Sequence, residues 1–189
     1  MGFSERFPRW ITAIIAIIIL ALTAGILGLE IVSNYIDVGH GTIWVGIWSS
    51  IVYIITFLMM FFITCCCRGR CNAFYVFIMA IISGLLAVVT IYFDQLFMND
   101  PCKCYLGDVL CCLLRGVPIF RSNFTGVLQE CTNALTAGTI SSKTCPSTPY
   151  DKVAYIKAQL ACAAAMAVTC IAYIVIFLFA CFGVCFGHK

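Results

Sequence analysis

The stretch WITAIIAIIILALTAGILGL, residues 10 to 29, decides the fold class because it holds 20 consecutive residues without a charge. A helix of about 20 apolar residues is long enough to cross the ~30 Å hydrocarbon core of a bilayer. Three longer uncharged stretches follow at residues 41–64, 71–93 and 158–187. The sequence therefore predicts four transmembrane helices, over about 10–32, 41–64, 71–97 and 153–187.

The composition fits a membrane protein rather than a soluble one. The chain has 189 residues, of which 63% are hydrophobic and 10% are charged, whereas a soluble domain is about half apolar and a quarter charged. The net charge of +3 is small and its basic residues are scattered, so nucleic acid is not an expected partner. We predict one all-α membrane domain, a four-transmembrane-helix bundle, whose partners are lipids and either other membrane proteins or further copies of the chain.

The short loops predict the orientation of the bundle. The two termini and the 65–71 turn carry five basic residues and one acidic residue, a sum of +4, against −1 on the other side. Cytosolic loops collect Lys and Arg, so both termini are expected in the cytosol. Asn123 begins a glycosylation sequon, Asn-Phe-Thr, on the side that the charges assign to the exterior. We expect a multi-pass protein of the plasma membrane with a glycan on Asn123.

The predicted outer loop, residues 98–152, is rich in cysteine. An even number of cysteines in an oxidising compartment predicts disulfides, here three, and hence a small disulfide-bonded extracellular domain between the third and fourth spans. Partly free thiols are the alternative, and six cysteines allow 15 pairings. The six are Cys102, Cys104, Cys111, Cys112, Cys131 and Cys145.

A second group of cysteines lies in the predicted cytosolic turn CCCRGRC, residues 65 to 71. This compartment is reducing, which disfavours disulfides, and three consecutive cysteines do not match the paired spacing of a zinc site. Juxtamembrane cysteines are accessible to acyl transfer, so S-acylation is favoured over unmodified thiols and over a metal. The predicted acylation sites are Cys65, Cys66, Cys67, Cys71, Cys181 and Cys185.

Small residues recur at close-packing intervals along the predicted helices. In lipid, small residues four apart allow helix backbones to approach closely. They serve either packing inside one bundle or contact with a partner, and the last helix carries them around most of its circumference. The predicted packing residues are Gly25, Gly28, Gly46, Ser50, Ala158, Ala161 and Ala165.

Catalytic chemistry has little support in the sequence. His40 and His188 fall on opposite faces of the membrane, and the chain holds no glycine-rich phosphate loop. We expect no enzyme activity, no metal and no cofactor other than acyl chains and N-glycan as modifications. The central parts of the predicted spans carry no charge, so the sequence predicts no ion path within one chain. A pore formed between subunits is the alternative.

The order of loops resembles the tetraspanins. As in that family, a short first outer loop, here residues 31–40, is followed by a cytosolic turn with cysteines and by a larger, cysteine-rich second outer loop. The sequence departs from the family where Leu113 follows Cys111-Cys112, because tetraspanins have glycine at that point. IWVGIW, residues 43–48, and FIMAIISGLLAVV, residues 77–89, are similar to the membrane-spanning four-domain subfamily A. Both resemblances imply a non-enzymatic membrane scaffold that associates laterally. The alternative is a subunit, or an auxiliary subunit, of an oligomeric ion channel.

Overall fold

The chain forms a bundle of long helices. The computed structural model describes residues 9–36, 40–65, 70–101, 103 and 148–186, with isolated positions at 126, 129, 132, 133 and 136. Four helices are long and apolar enough to cross a membrane, which confirms the predicted all-α, multi-pass class. The helices are α1 (Arg9–Ile36), α2 (Val45–Cys65), α3 (Arg70–Asn99), a short α4 (Thr148–Asp151) and α5 (Val153–Phe186).

The four long helices pack as a ring in the order α1, α2, α3, α5, and each contacts mainly its two neighbours. The connections from α1 to α2 and from α2 to α3 are short, which makes these neighbours antiparallel. The C-terminal ends of α1 and α3 therefore meet the N-terminal ends of α2 and α5. We call this the outer end of the bundle, after the orientation predicted from the charges.

Apolar side chains such as Ile19, Tyr53 and Met60 fill the interior together with small and polar ones, and other large apolar side chains cover the outside. Ile17, Leu85 and Phe179 are 65%, 63% and 72% exposed. Because lipid tails are as apolar as leucine, helices in a bilayer associate through close packing and hydrogen bonds rather than through hydrophobic burial. The exposed apolar side chains thus fit a helix bundle that is surrounded by lipid. The buried serines and threonines of the spans are Thr12, Thr23, Ser33, Ser49, Ser50, Thr56, Ser83 and Thr90.

The second span begins four residues later than the sequence suggested. Ile43 and Trp44 have φ of 55° and 54°, in the left-handed region, so a right-handed helix does not extend back through them to Gly41. The Thr42 carbonyl accepts a hydrogen bond from the Val45 N–H at 3.2 Å and closes the turn. The turn directs residues 40–44 back over the outer end of the bundle.

One hydrogen bond joins the hydroxyls of neighbouring spans near mid-bundle. Thr56 Oγ1 and Ser83 Oγ lie 2.8 Å apart on α2 and α3, in a buried position. We expect Thr56→Val and Ser83→Ala to show a coupling of about 0.6 kcal/mol in a double-mutant cycle of unfolding in lipid bicelles, the typical size for such bonds in a membrane. Thr64, whose hydroxyl donates to the Met60 carbonyl of its own helix, is the control. Equal coupling of Thr64→Val to Ser83→Ala would contradict a specific bond.

Candidate functional site

A cluster of buried polar side chains closes the outer end of the bundle. Glu30 comes from α1, Asp94 from α3 and Gln159 from α5, and each is 1% exposed or less. Helical spacing places them inward, because each lies three or four residues from other buried positions, Ile26, Thr90 and Ala163 respectively. We call Glu30, Asp94, Gln159 and the adjoining Thr42 the outer polar cluster.

The Gln159 amide joins the two carboxylates. Its Nε2 donates to Glu30 Oε2 at 2.7 Å and to Asp94 Oδ1 at 3.4 Å. One nitrogen thus carries hydrogen bonds to two acidic groups from two other helices. Hydrogen bonds to charged groups are stronger than those between neutral groups, and they lose more when one partner is removed.

The Glu30 carboxylate has three side-chain donors within hydrogen-bond distance. Thr42 Oγ1 lies 3.1 Å from Oε1 and 3.2 Å from Oε2, and Asn34 Nδ2 donates to Oε1 at 3.5 Å. Together with Gln159, these donors reach both oxygens of the group.

Asp94 has a different environment. Among the residues that the structure describes, no donor reaches its buried Oδ2, and the buried Gln159 Oε1 is likewise unbonded. Buried polar atoms are nearly always hydrogen-bonded, so two orphan oxygens on two side chains that already share a bond need a physical reason. Tyr53, also fully buried, lies close enough to Asp94 to interact with it electrostatically.

Residues 40–44 lie directly on this cluster. The Lys152 ammonium, fully buried just before α5, donates to the His40 carbonyl. The same nitrogen lies 5.6 Å from the centre of the Phe97 ring, within cation–π range. Residues 40–44 are therefore tied to α1 through Thr42 and to the start of α5 through Lys152. The two left-handed residues, Ile43 and Trp44, follow directly after these ties.

Gly46 provides the space in which the cluster fits. A Cβ built there would lie 2.9 Å from Glu30 Oε2, 3.0 Å from Glu30 Cβ and 3.1 Å from Gln159 Nε2. The contact with Glu30 Cβ is the decisive one, since a stem atom next to the α1 backbone cannot swing aside. The backbones of α1 and α2 approach closely at this point because the residue is glycine.

The other predicted packing residues fall on different surfaces. Ser50 is buried and bonds its own helix, while a Cβ at Gly25 would lie 3.5 Å from Cys162 Sγ on α5. Gly28 is exposed, and a Cβ there would have nothing within 4 Å. The remaining three, Ala158, Ala161 and Ala165, are exposed on α5.

The exposed face of α5 is smooth. Positions 158, 161, 165, 168 and 172 alternate in steps of three and four, all are exposed, and they read Ala, Ala, Ala, Val, Ala. This is the spacing of a helix–helix seam. Between residues 156 and 167 the described α5 exposes no large hydrophobic side chain. We call the five residues the α5 ridge.

Most of the predicted modification sites lie outside the described residues. These are Asn123, Cys66, Cys67 and the six cysteines of the outer loop, and for Cys185 only the helical backbone is described. Cys65 and Cys71 are exposed at the ends of α2 and α3 that face each other across the 66–69 turn. Cys181 is partly buried.

Sequence reasoning missed the outer polar cluster. Glu30 and Asp94 were assigned as charges of the outer side because each directly follows an uncharged stretch. In the structure both helices continue past these residues, and both side chains are buried inside the bundle. The available signal was their helical spacing from Thr23, Ile26 and Thr90.

In comparisons with known proteins, no protein-family model, no curated protein and no solved structure matches this chain.

Proposed function

We propose that the protein is a non-enzymatic tetraspan scaffold of the plasma membrane, comparable to a tetraspanin, that associates laterally through the α5 ridge. The α5 ridge is the observation that carries the proposal. It is exposed, free of large side chains at its outer half and spaced as a seam. Because association in lipid depends on close packing, a smooth face of this kind favours contact with another helix over contact with lipid alone.

The surfaces of α2 and α3 support the choice of α5. The exposed positions of α2 carry bulky side chains such as Trp48, Ile51 and Leu58, and those of α3 carry Tyr75, Leu85 and Val88. Large, irregular side chains hold a neighbouring backbone at a distance, whereas alanine allows close approach. The ridge is placed to meet a second copy of the chain or a transmembrane helix of another protein.

The proposal includes the orientation and the modifications predicted from the sequence. Both termini and the 66–69 turn would face the cytosol, with acyl chains on the turn cysteines and on Cys181 and Cys185. The loop between α3 and α5 would face outward, with three disulfides and a glycan on Asn123. The charge difference between the two sides supports this orientation, and the exposure of Cys65 and Cys71 beside the turn leaves both accessible to acylation.

Bulk added to the ridge tests the proposal. Ala161→Leu with Ala165→Leu should reach the membrane normally, because insertion depends on total hydrophobicity. Co-purification of two differently tagged copies, or of a partner, should fall by about tenfold, which corresponds to ~1.4 kcal/mol of association free energy. Both positions are exposed, so the bundle itself should keep its stability.

A matched control adds similar bulk to another exposed face. Leu85→Phe with Val88→Phe places it on α3, where both positions are exposed, and this variant should associate like the wild type. Equal association of the ridge variant and the control would contradict the proposal. Ion currents from purified protein in planar bilayers would instead favour the channel subunit.

A further inference from the structure

We propose that the outer polar cluster is a proton-binding site, in which Asp94 holds one proton on Oδ2 and donates it to Gln159 Oε1. The site is separate from the α5 ridge and does not depend on the proposed scaffold function. Its ligand is a proton exchanged with water at the outer end of the bundle. Two observations support this assignment: the unbonded oxygens of Asp94 and Gln159, and the contrast between the two carboxylates.

The orphan oxygens give the position of the proton. With Asp94 ionised, both Asp94 Oδ2 and Gln159 Oε1 are acceptors, and neither has a donor among the described residues. A proton on Oδ2 turns this pair of acceptors into a donor and an acceptor. Together with the bond from Gln159 Nε2 to Asp94 Oδ1, the acid and the amide then pair through two parallel hydrogen bonds.

The contrast between the carboxylates decides which one holds the proton. Both oxygens of Glu30 accept from Thr42, and Asn34 and Gln159 add a donor to each side. Asp94 receives only the longer bond from Gln159. Two carboxylates that share a buried site do not ionise together easily, and the one with fewer donors takes the proton.

The groups that surround Asp94 favour its neutral form. Among the described residues, Glu30 from α1 and Tyr53 from α2 interact with Asp94 electrostatically. A proton on Asp94 avoids two like charges in one buried site.

Infrared spectroscopy of the full-length protein in lipid nanodiscs tests the assignment. At neutral pH the wild type should show the C=O stretch of a protonated carboxylic acid, which shifts on transfer to D₂O and disappears when alkaline buffer removes the proton. Asp94→Asn should lack this band at neutral pH, while Asp100→Asn, at an exposed position just beyond α3, should keep it. No acid band in the wild type, or a band that survives Asp94→Asn and disappears in Glu30→Gln, would overturn the proposal.

Thermal unfolding supplies a second readout. If the native state holds a proton that the unfolded chain releases, stability is full at low pH and falls as the pH rises. Asn at position 94 mimics the protonated acid, so Asp94→Asn should unfold at or above the wild-type temperature at neutral pH and should lose this decline. The wild-type band should be the same in sodium buffer and in sodium-free choline buffer. An acid band that appears only without sodium would overturn the proposal in favour of a metal cation between the same oxygens.

Discussion

Gly46→Ala is expected to destabilise the bundle by about 1–3 kcal/mol, the usual cost of overpacking a close contact. The new methyl group would lie 3.0 Å from Glu30 Cβ and 2.9 Å from Glu30 Oε2. The side-chain oxygen can move, but the stem of Glu30 is fixed to α1, so the two helices must separate. Separation lengthens the bonds from Gln159 and Thr42 to the carboxylate and weakens them together.

Gly28→Ala is the matched control. This glycine also lies within a helix, and a Cβ there meets nothing within 4 Å. Alanine favours a helix over glycine by about 1 kcal/mol, so this variant should be neutral or slightly stabilised. The two variants are compared by steric-trap unfolding in lipid bicelles. Equal stability would show that the close approach of α1 and α2 at Gly46 does not hold the cluster.

Gln159→Leu is expected to cost about 1–3 kcal/mol, the range for buried acceptors that lose their hydrogen-bond donor. The leucine fills a similar volume but removes the Nε2 that donates to Glu30 at 2.7 Å and to Asp94 at 3.4 Å. Two buried acidic groups then lose the amide that joins α1 and α3 to α5. We also expect the first outer loop to loosen, because Thr42 shares the same carboxylate.

Gln95→Leu is the control for this substitution. Gln95 lies next to Asp94 on α3 but is exposed, so its loss should change stability by no more than about 0.5 kcal/mol. Both variants are measured by thermal unfolding in nanodiscs, with trypsin cleavage at Lys152 as a local readout of the loop contact. If Gln159→Leu unfolds like Gln95→Leu, the cluster does not stabilise the bundle.

The transmembrane part of the fold could be predicted because span length and charge depend on the bilayer rather than on the partner helices. Stretches such as residues 10–29 and 71–93 have the length and the apolar composition that are typical of transmembrane helices. The helix ends were less predictable. The sequence predicted ends near residues 32 and 97, whereas α1 continues to Ile36 and α3 to Asn99, because Glu30 and Asp94 find partners inside the bundle.

The site was harder to predict because the spans are apolar around their whole circumference and carry little directional signal. Which face turns inward is decided by contacts distant in sequence, such as Lys152 with His40, which are 112 residues apart. The α5 ridge was partly predictable from the sequence. The sequence identified Ala161 and Ala165 as packing residues, but only the packed bundle distinguishes the exposed Ala161 from the fully buried Ala163 two positions away.

Photo-crosslinking in native membranes tests the central claim, lateral association through the α5 ridge, most directly. A photoreactive amino acid is placed in turn at Ala158, Ala161 and Ala165 on the ridge, and at Leu85 and Val88 on α3. All five positions are exposed, so lipid access is matched. We expect crosslinks to a second copy or to one partner protein from the three ridge positions, and only lipid adducts from the two α3 positions. Protein crosslinks of equal yield from α3, or none from the ridge, would contradict it.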